Sequence, residues 1–469
     1  MNIQPIFLWT DILLFVLLSC MFALVWHARR HEPLRAAWRQ VGRNPVAMAA
    51  AVVLLAFAAI GLLDSLHYRE RLPERGGETS APAVYSTEVL SALDALLAPL
   101  RRNTEKTYSA PFARALFQKE TVELDGGGQA RIHPPLQHGA RHLQAGESLA
   151  ADVLLRAVGA LPFALAASLL FALGLAVVVA RARRCGLIEA LRLIARGQTA
   201  LAWRAALATS FLIAALAAIL TALAPLYHVF GTDKVGQDVL YLSLKSVRTG
   251  LVIGTLTTLV MLPFAIVFGI AAGYLGGWVD DAIQYLYTVL SSIPGVLLIA
   301  AAVLMMQVVI DLHPQWFGTA AERSDARLLA LCFILGITSW TGLCRLLRGE
   351  TLKLRELEYV QAARAFGASA AAILRRHILP NVMHIVLITV VIDFSGLVLA
   401  EAVLSYVGIG VDPNTTSFGT MINMARAELA RDPMVWWSLT AAFAFMLTLV
   451  LAANLLADAV RDAFDPRRS

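Results

Sequence analysis

Apolar positions gather into nine runs, near 8–27, 46–63, 153–180, 205–226, 249–275, 282–308, 328–344, 382–407 and 435–459. Runs of this length cross about 30 Å of hydrocarbon at about 1.5 Å of rise per residue, so each predicts a membrane-spanning helix. The largest polar stretch, 64–150, separates the second run from the third. Within it Ser86 or Thr87 is placed to cap an amphipathic stretch from Val89 to Leu100. ETVELDGGGQARIH reads as a short hairpin turning at Asp125 to Gly128 and ended by Pro134 and Pro135. The pattern predicts an all-α polytopic membrane protein of about nine transmembrane helices with one mixed α/β segment outside the bilayer.

Lys and Arg concentrate in cytoplasmic loops, which orients the spans. Arg29, Arg30, Arg35, Arg39 and Arg43 follow the first run; Arg181, Arg183, Arg184, Arg192, Arg196 and Arg204 follow the third. Arg345, Arg348, Lys353, Arg355, Arg364, Arg375 and Arg376 follow the seventh. These loops are expected in the cytoplasm, which puts the N-terminus outside and the tail, with Arg461, Arg467 and Arg468, inside. Loops 309–327 and 408–434 are correspondingly poor in basic residues. Segment 64–150 falls outside, where long loops largely escape the charge bias. The first run has no positive charge before it, carries Asp11 and precedes Arg29 and Arg30, the reverse of a secretory signal. It reads as a retained N-out anchor.

Composition agrees with the bilayer: 58% hydrophobic and 15% charged residues, with mean hydropathy +0.67, make more apolar surface than a soluble domain of 469 residues buries. The net charge of +6 is spread over short loops rather than gathered on one face, which argues against nucleic acid. Cys20 and Cys332 lie in apolar runs, and Cys185 and Cys344 in or beside basic loops, so neither a disulfide framework nor a CxxC metal site is expected. His133, His138 and His142 are candidate imidazole ligands. No carboxylate or cysteine stands at ligand spacing, and they read as solvated, with no metal expected.

The segment from Trp340 to Asn381 reads as two short helices in a cytoplasmic loop. The first, Leu357 to Phe366, is rich in helix formers and stops at Gly367, the residue best able to adopt a left-handed terminus. The second starts from Ser369 as N-cap and ends before Pro380. Val360, Ala363 and Phe366 recur at helical spacing, as do Leu374 and Ile378. An apolar stripe on so short a helix needs a partner surface, and either another chain or the protein's own spans would serve.

Four ordered blocks resemble a known family. Gln361, Ala362, Ala363, then Gly367 and Ala368, and Leu379 and Pro380 after a spacer, resemble the cytoplasmic motif of ABC-importer permeases, whose usual form begins Glu-Ala-Ala. Glu358 and Tyr359 precede it as in dipeptide/oligopeptide permeases. His228, Phe230 and the run Gly231, Thr232, Asp233, Lys234, Val235, Gly236, Gln237, Asp238, Val239, Leu240 resemble the external block of that family, with glutamine at 237 where arginine is usual. Gly273 to Asp280 and Ser292-Ile293-Pro294 match its next turn and helix start. Glu401, Leu404, Ser405, Tyr406, Val407 and Gly408 to Val411 match the end of its penultimate span, with Asn414 and Phe418 where proline and tryptophan are usual. The likeness covers roughly 228–465, plus Arg43-Asn44-Pro45.

The resemblance to the peptide/nickel ABC-importer permeases implies a type I permease core of the C-terminal five spans and one N-terminal helix. Segments 1–63 are then an anchor and the second span, 64–150 an external insert, 151–227 two added spans, and 228–469 the core with its coupling loop 345–381. It implies a second permease, two ATPases and an external solute-binding protein as partners in a bacterial inner membrane, with dipeptides or oligopeptides as cargo. Nickel chelates or a peptide antibiotic are same-class alternatives. None of the five lysines, Lys106, Lys119, Lys234, Lys245 and Lys353, follows the glycine spacing that cradles phosphates, so the chain reads as no enzyme and as having no cofactor. ATP and Mg then belong to the partner ATPases. Asp393, Glu401 and Ser405 are candidate pathway or gating residues, since carboxylates at such depth must face protein or water. Neither carboxylate has a His or second carboxylate one turn away, which argues against a proton relay. Asp280 and Asp281 read as a helix-start pair favouring the macrodipole. A membrane-anchored enzyme or sensor built on 64–150 is the different-class alternative, and that segment offers no Ser/His/Asp, metal or phosphate constellation.

Overall fold

In the computed structural model, residues 3–30, 32–71, 85–123, 129–144 and 146–464 are described. Apolar runs become helices because a backbone in hydrocarbon must close its own hydrogen bonds. The first half comprises β1 (Ile3–Ile6), α1 (Trp9–Arg30), α2 (Glu32–Arg43), α3 (Pro45–Asp64), β2 (His67–Glu70), β3 (Leu90–Ser91), α4 (Ala92–Leu96), α5 (Ala98–Arg102), β4 (Glu120–Glu123), β5 (Gln129–Ile132), α6 (Leu149–Arg183), α7 (Leu187–Arg196) and α8 (Trp203–Leu223). The second comprises α9 (Val239–Leu275), α10 (Gly277–Ser292), α11 (Gly295–Leu312), α12 (Ala320–Ser339), α13 (Thr341–Arg355), α14 (Glu358–Ala365), α15 (Ala370–Ile373), a π-helical turn (Leu374–Ile378), α16 (Leu379–Val407), α17 (Phe418–Leu429) and α18 (Trp437–Phe464).

Among the described residues, eight helical runs are long and apolar enough to cross a membrane: α3, α6, α8, α9, α11, Ala320–Arg355, Ala370–Val407 and α18. The apolar part of α1, Trp9–Ala23, is shorter. Three boundaries differ from those expected. Run 282–308 is broken, because Pro294 holds Ile293 extended at φ −89°, ψ 131° and restarts the helix at Gly295. Run 328–344 continues to Arg355, so the loop after it is shorter than 345–381. The helix begun at Ser369 does not end before Pro380. It passes through the π turn into α16, and the widened turn makes room for a proline that has no N–H and whose ring crowds the preceding turn.

The chain forms two compact units. The first contains Met1–Ile6, Trp38–Thr249 and Thr416–Leu456. In it β1, β2 and β3 form an antiparallel sheet with Ile3 opposite Glu70 and His67 opposite Ser91. β4 and β5 form the expected hairpin, Glu120 opposite Ile132, while its turn at Asp125 to Gly128 lies outside the described residues. Neither Ser86 nor Thr87 caps the stretch after Val89. Ser91 does, in a reciprocal pair with Asp94 (3.1 and 2.9 Å), and the stretch is two short helices because Pro99 opens a second. α6 and α8 pack on each other and α8 on α3. Lys245 of α9 bonds Asp64 at the end of α3 (2.6 Å) and Asp94 of α4 (3.0 Å), Ser91 donates to Asp64 (2.6 Å), and Tyr241 donates to Asp94 (2.7 Å).

The second unit contains Phe7–Ala37, Gly250–Thr415 and Ala457–Ser469. Its main core joins Met261, Ala265 and Ile270 of α9 to Leu343, Cys344 and Leu347 of α13, Val360 of α14, Ile373 and Ile378, and Val382 and Val386 of α16. Asp325 of α12 accepts from the Thr10 N–H (3.1 Å) and hydroxyl, capping the first turn of α1 from a different helix. Arg327 bonds Asp311 of α11 and Asp412 beyond α16.

Replacing Lys245 by methionine strands Asp64 and Asp94 as buried, uncompensated carboxylates, and we expect a loss of about 3 kcal/mol. Thermal unfolding of the purified protein in detergent measures it. Combining Lys245→Met with Asp94→Asn should recover part of the loss.

Candidate docking and pathway sites

The sequence-predicted docking residues form a surface element held from behind. Glu358, Tyr359, Gln361, Ala362 and Ala363 lie on α14, whose C-terminus closes with two bonds: Ala368 N–H to Ala363 C=O (3.1 Å) and Gly367 N–H to Arg364 C=O (3.0 Å). This is the double closure that needs a left-handed residue, and Gly367 has φ +79°. A Cβ there would meet nothing within 4 Å. Ser369 caps the next turn as expected, accepting from Ala372 N–H (3.3 Å). Asn381 donates to Tyr359 Oη (3.1 Å) and to the His377 carbonyl (2.6 Å), tying the start of α16 to α14, with Leu379 half-buried and Pro380 exposed beside it. Gln361 donates to the Glu356 carbonyl (3.1 Å).

The expected apolar stripe divides. Val360 is 2% exposed in the core of its unit and Ala363 packs partly against it, whereas Phe366 is 90% exposed. Sequence periodicity put the three on one face; the turn at Gly367 carries Phe366 out of register with the core. Asp280 stands in the first turn of α10, as expected. It does not cap α10, whose N-cap is Gly276 without a side-chain bond, but takes a two-pronged bond from Arg348 of α13 (2.6 and 2.7 Å).

The residues Gly231, Thr232, Asp233, Gly236 and Asp238 are brought together as a turn wrapped on the segment 105–109. Gly231 (φ +71°) and Gly236 (φ +78°) are both left-handed, and a Cβ on either would collide with the carbonyl of Ser109 or Glu105. Thr232 Oγ1 accepts from Ser109 N–H (2.6 Å), Asp233 accepts from the N–H groups of Val235 (3.0 Å) and Gln237 (2.8 Å), and Asp238 caps α9 through Leu240 N–H (2.9 Å). Gln237, where the family usually has arginine, is exposed. Sequence reasoning missed Glu105. Its buried carboxylate accepts from the N–H groups of Gln137 (2.9 Å), His138 (2.8 Å) and Gly139 (3.1 Å) and faces His228 Nε2 (3.4 Å), while His228 Nδ1 bonds Asp238 (2.8 Å). A single glutamate in a loop carries no local signal of such a role.

Burial opposes charge on both partners, and hydrogen bonding overcomes it. For His228, bonds to Asp238 and Glu105 raise the pKa to about 9. For Glu105, bonds from His228 and the three backbone N–H groups lower it to about 2. The remaining candidate histidines do not converge: His133 Nδ1 bonds the Leu116 carbonyl (2.9 Å) and His142 Nε2 bonds Asp152 (3.1 Å). In α16, Ser405 donates to buried Glu401 (2.7 Å), and Asp393 is half-buried.

Comparisons with known proteins identify the family. The family model described as the inner membrane component of binding-protein-dependent transport systems matches residues 265–469. The oligopeptide transport system permease OppC of Mycobacterium bovis is 30% identical over 239 residues, covering 51% of this chain and 76% of that protein. The dipeptide transport system permease DppC of Lactococcus lactis is 30% identical over 242 residues (52% and 64%), and the glutathione transport system permease GsiD of Pectobacterium atrosepticum 32% over 240 residues (51% and 73%). Among solved structures, the inward-facing MetNI methionine ABC transporter aligns at 16% identity and TM-score 0.37 over 48% of this chain and 97% of that one.

Charged His228 stabilises the folded state fully below its ordinary pKa of 6.5, and that contribution fades as pH rises through about 9. Ionised Glu105 contributes fully above 4.5 and fades as pH falls through about 2. The clasp is therefore strongest between pH 4.5 and 6.5. We expect the thermal midpoint in detergent to drop by roughly 5 °C between pH 6.5 and pH 9, and His228→Gln to flatten that drop.

Proposed function

From the premise that the chain belongs to the family of binding-protein-dependent inner-membrane transport permeases, in its peptide ABC-importer branch, we propose how it works. It is a permease subunit that passes dipeptides or oligopeptides inward across the bacterial cytoplasmic membrane, N-terminus outside and C-terminus inside. It pairs with a second permease, takes cargo from an external solute-binding protein, and is driven by two ATPases that hold the ATP and Mg.

The observation that carries the ATPase contact is the divided face of 358–368. Val360 fastens α14 to the spans, while Phe366 stands 90% exposed next to an empty, left-handed Gly367. Tyr359 and Ala362 are exposed alongside. An eight-residue helix presenting a bare aromatic suits a groove on another protein, where burying that ring contributes about 2 kcal/mol. Small residues at 362, 367 and 368 let the groove close on the backbone. The basic residues of this region support a cytoplasmic position. For the pathway, half-buried Asp393 suits a lining role and Glu401, closed by Ser405, a role in helix packing or gating.

Phe366→Ala should weaken co-purification of the ATPases about ten-fold or more. Gly367→Val, which meets the left-handed penalty, should abolish uptake at normal membrane levels, whereas Gly367→Asn should retain most of it. Undiminished uptake by Gly367→Val would sink the docking assignment. Cargo is tested by isotope-labelled dipeptide uptake in cells with the complete transporter, competed by unlabelled di- and oligopeptides. Uptake that persists when this chain is deleted would overturn the peptide reading.

A further inference from the structure

Behind the docking helix, α13 is joined to α9 by contacts that leave little side-chain layer to slip. Gly269 and Gly273 lie four residues apart on one face of α9. A Cβ on Gly269 would fall 2.8 Å from the Cys344 carbonyl oxygen and from Leu347 Cβ. One on Gly273 would fall 2.6 Å from Thr351 Cβ and 2.8 Å from the Arg348 carbonyl oxygen. α9 and α13 therefore touch backbone to backbone over more than one turn, with Leu347 and Thr351 fully buried between them.

The same stretch of α13 grips α10. Arg348 makes both bonds to Asp280, and the Arg345 guanidinium lies over the Tyr287 ring at 5.7 Å. Arg355 Nη1 reaches back to the Gly273 carbonyl (3.4 Å). Between α9 and α10 the chain bends through two glycines with positive φ, Gly276 (φ +68°) and Gly277 (φ +55°), held in the bend by long backbone bonds from Gly276 to Ala272 (3.3 Å) and from Asp280 to Gly276 (3.5 Å). The Arg348–Asp280 bond braces the angle between the helices, beside the packing of Ile283, Tyr287 and Leu290 of α10 on the core. Val360 of α14 sits in the same core as Leu343 and Leu347.

We infer that Gly269, Gly273 and the Arg348–Asp280 pair are the residues that transmit the ATPase stroke to the spans. They make α13, α10 and the C-terminal half of α9 one rigid lever, to which Val360 fastens α14. A push at the docking helix then tilts α9 and α10 together instead of being absorbed by sliding at α13 or by flexing at Gly276–Gly277. This inference rests on the docking reading above and goes beyond it, because none of these residues lies on the docking surface. They act through the helices they join, as positioning residues.

The test uses the complete transporter reconstituted in vesicles, with three readouts: ATPase co-purification, ATP hydrolysis, and peptide moved per ATP hydrolysed. Asp280→Ala and Gly273→Ala should keep the ATPases bound and hydrolysing while peptide moved per ATP falls about ten-fold. Asp280→Glu, which keeps a carboxylate for Arg348, should recover most of the coupling. Arg348→Lys, which keeps the charge but loses the two-pronged bond, should resemble Asp280→Ala and carries the test if Gly273→Ala fails to accumulate in the membrane. Unchanged transport per ATP in Asp280→Ala and Arg348→Lys overturns the inference. So does loss of ATPase co-purification in those variants, which would make the pair a support for the docking surface alone. Failure of the docking reading is seen separately, as ATPases that remain bound to Phe366→Ala and Gly367→Val.

Discussion

A backbone that crosses hydrocarbon has no water to bond to, and each polar group must find its partner within the protein. Helices follow, and so does the treatment of every exception. Pro162 and Pro263 sit inside α6 and α9, and the proline at 380 is accommodated by a π turn that passes the helix on unbroken. Several charges at or within the spans meet counter-charges or hydroxyls: Lys245 its two aspartates, Arg327 Asp412, Arg348 Asp280, Glu401 Ser405. A carboxylate that caps a foreign helix, Asp325 on α1, is another solution to the same requirement.

Left-handed glycines do two different jobs here, and the space around them tells the two apart. At Gly231 and Gly236 a Cβ would strike backbone carbonyls of the segment 105–109, so these glycines exist for close internal packing. At Gly367 nothing lies within 4 Å, and the glycine serves direction alone, turning the chain and exposing Phe366. Crowding around the first pair makes that block a fastening for the segment 105–109. Emptiness around the last leaves room for a partner.

A docking surface transmits force only as well as its backing resists deformation. Val360, Leu343 and Leu347 supply an apolar backing, but dispersion contacts between side chains permit sliding. Backbone contact at Gly269 and Gly273 and a bidentate ion pair at Asp280 do not. The bend at Gly276–Gly277 is where such a brace matters most, because glycines add little stiffness of their own.

Most of the architecture was legible in the residue order, because hydrophobic length, helix stops and caps are local properties. The span pattern, the hairpin strands, the Ser369 cap and the stop at Gly367 all follow from neighbours a few residues apart. Boundaries drifted where a proline acted in two ways, ending one helix at Ile293 and being absorbed by another at 380. Periodicity placed Val360 and Phe366 on one stripe, and only the fold separated them into anchor and exposed ring. The partners of Glu105, Lys245 and Asp280 lie from 32 to 181 residues away in sequence. Ionic and hydrogen-bonded pairing is set by distance in space, so residue order alone determined the helices and their stops, while tertiary structure decided which charges they share.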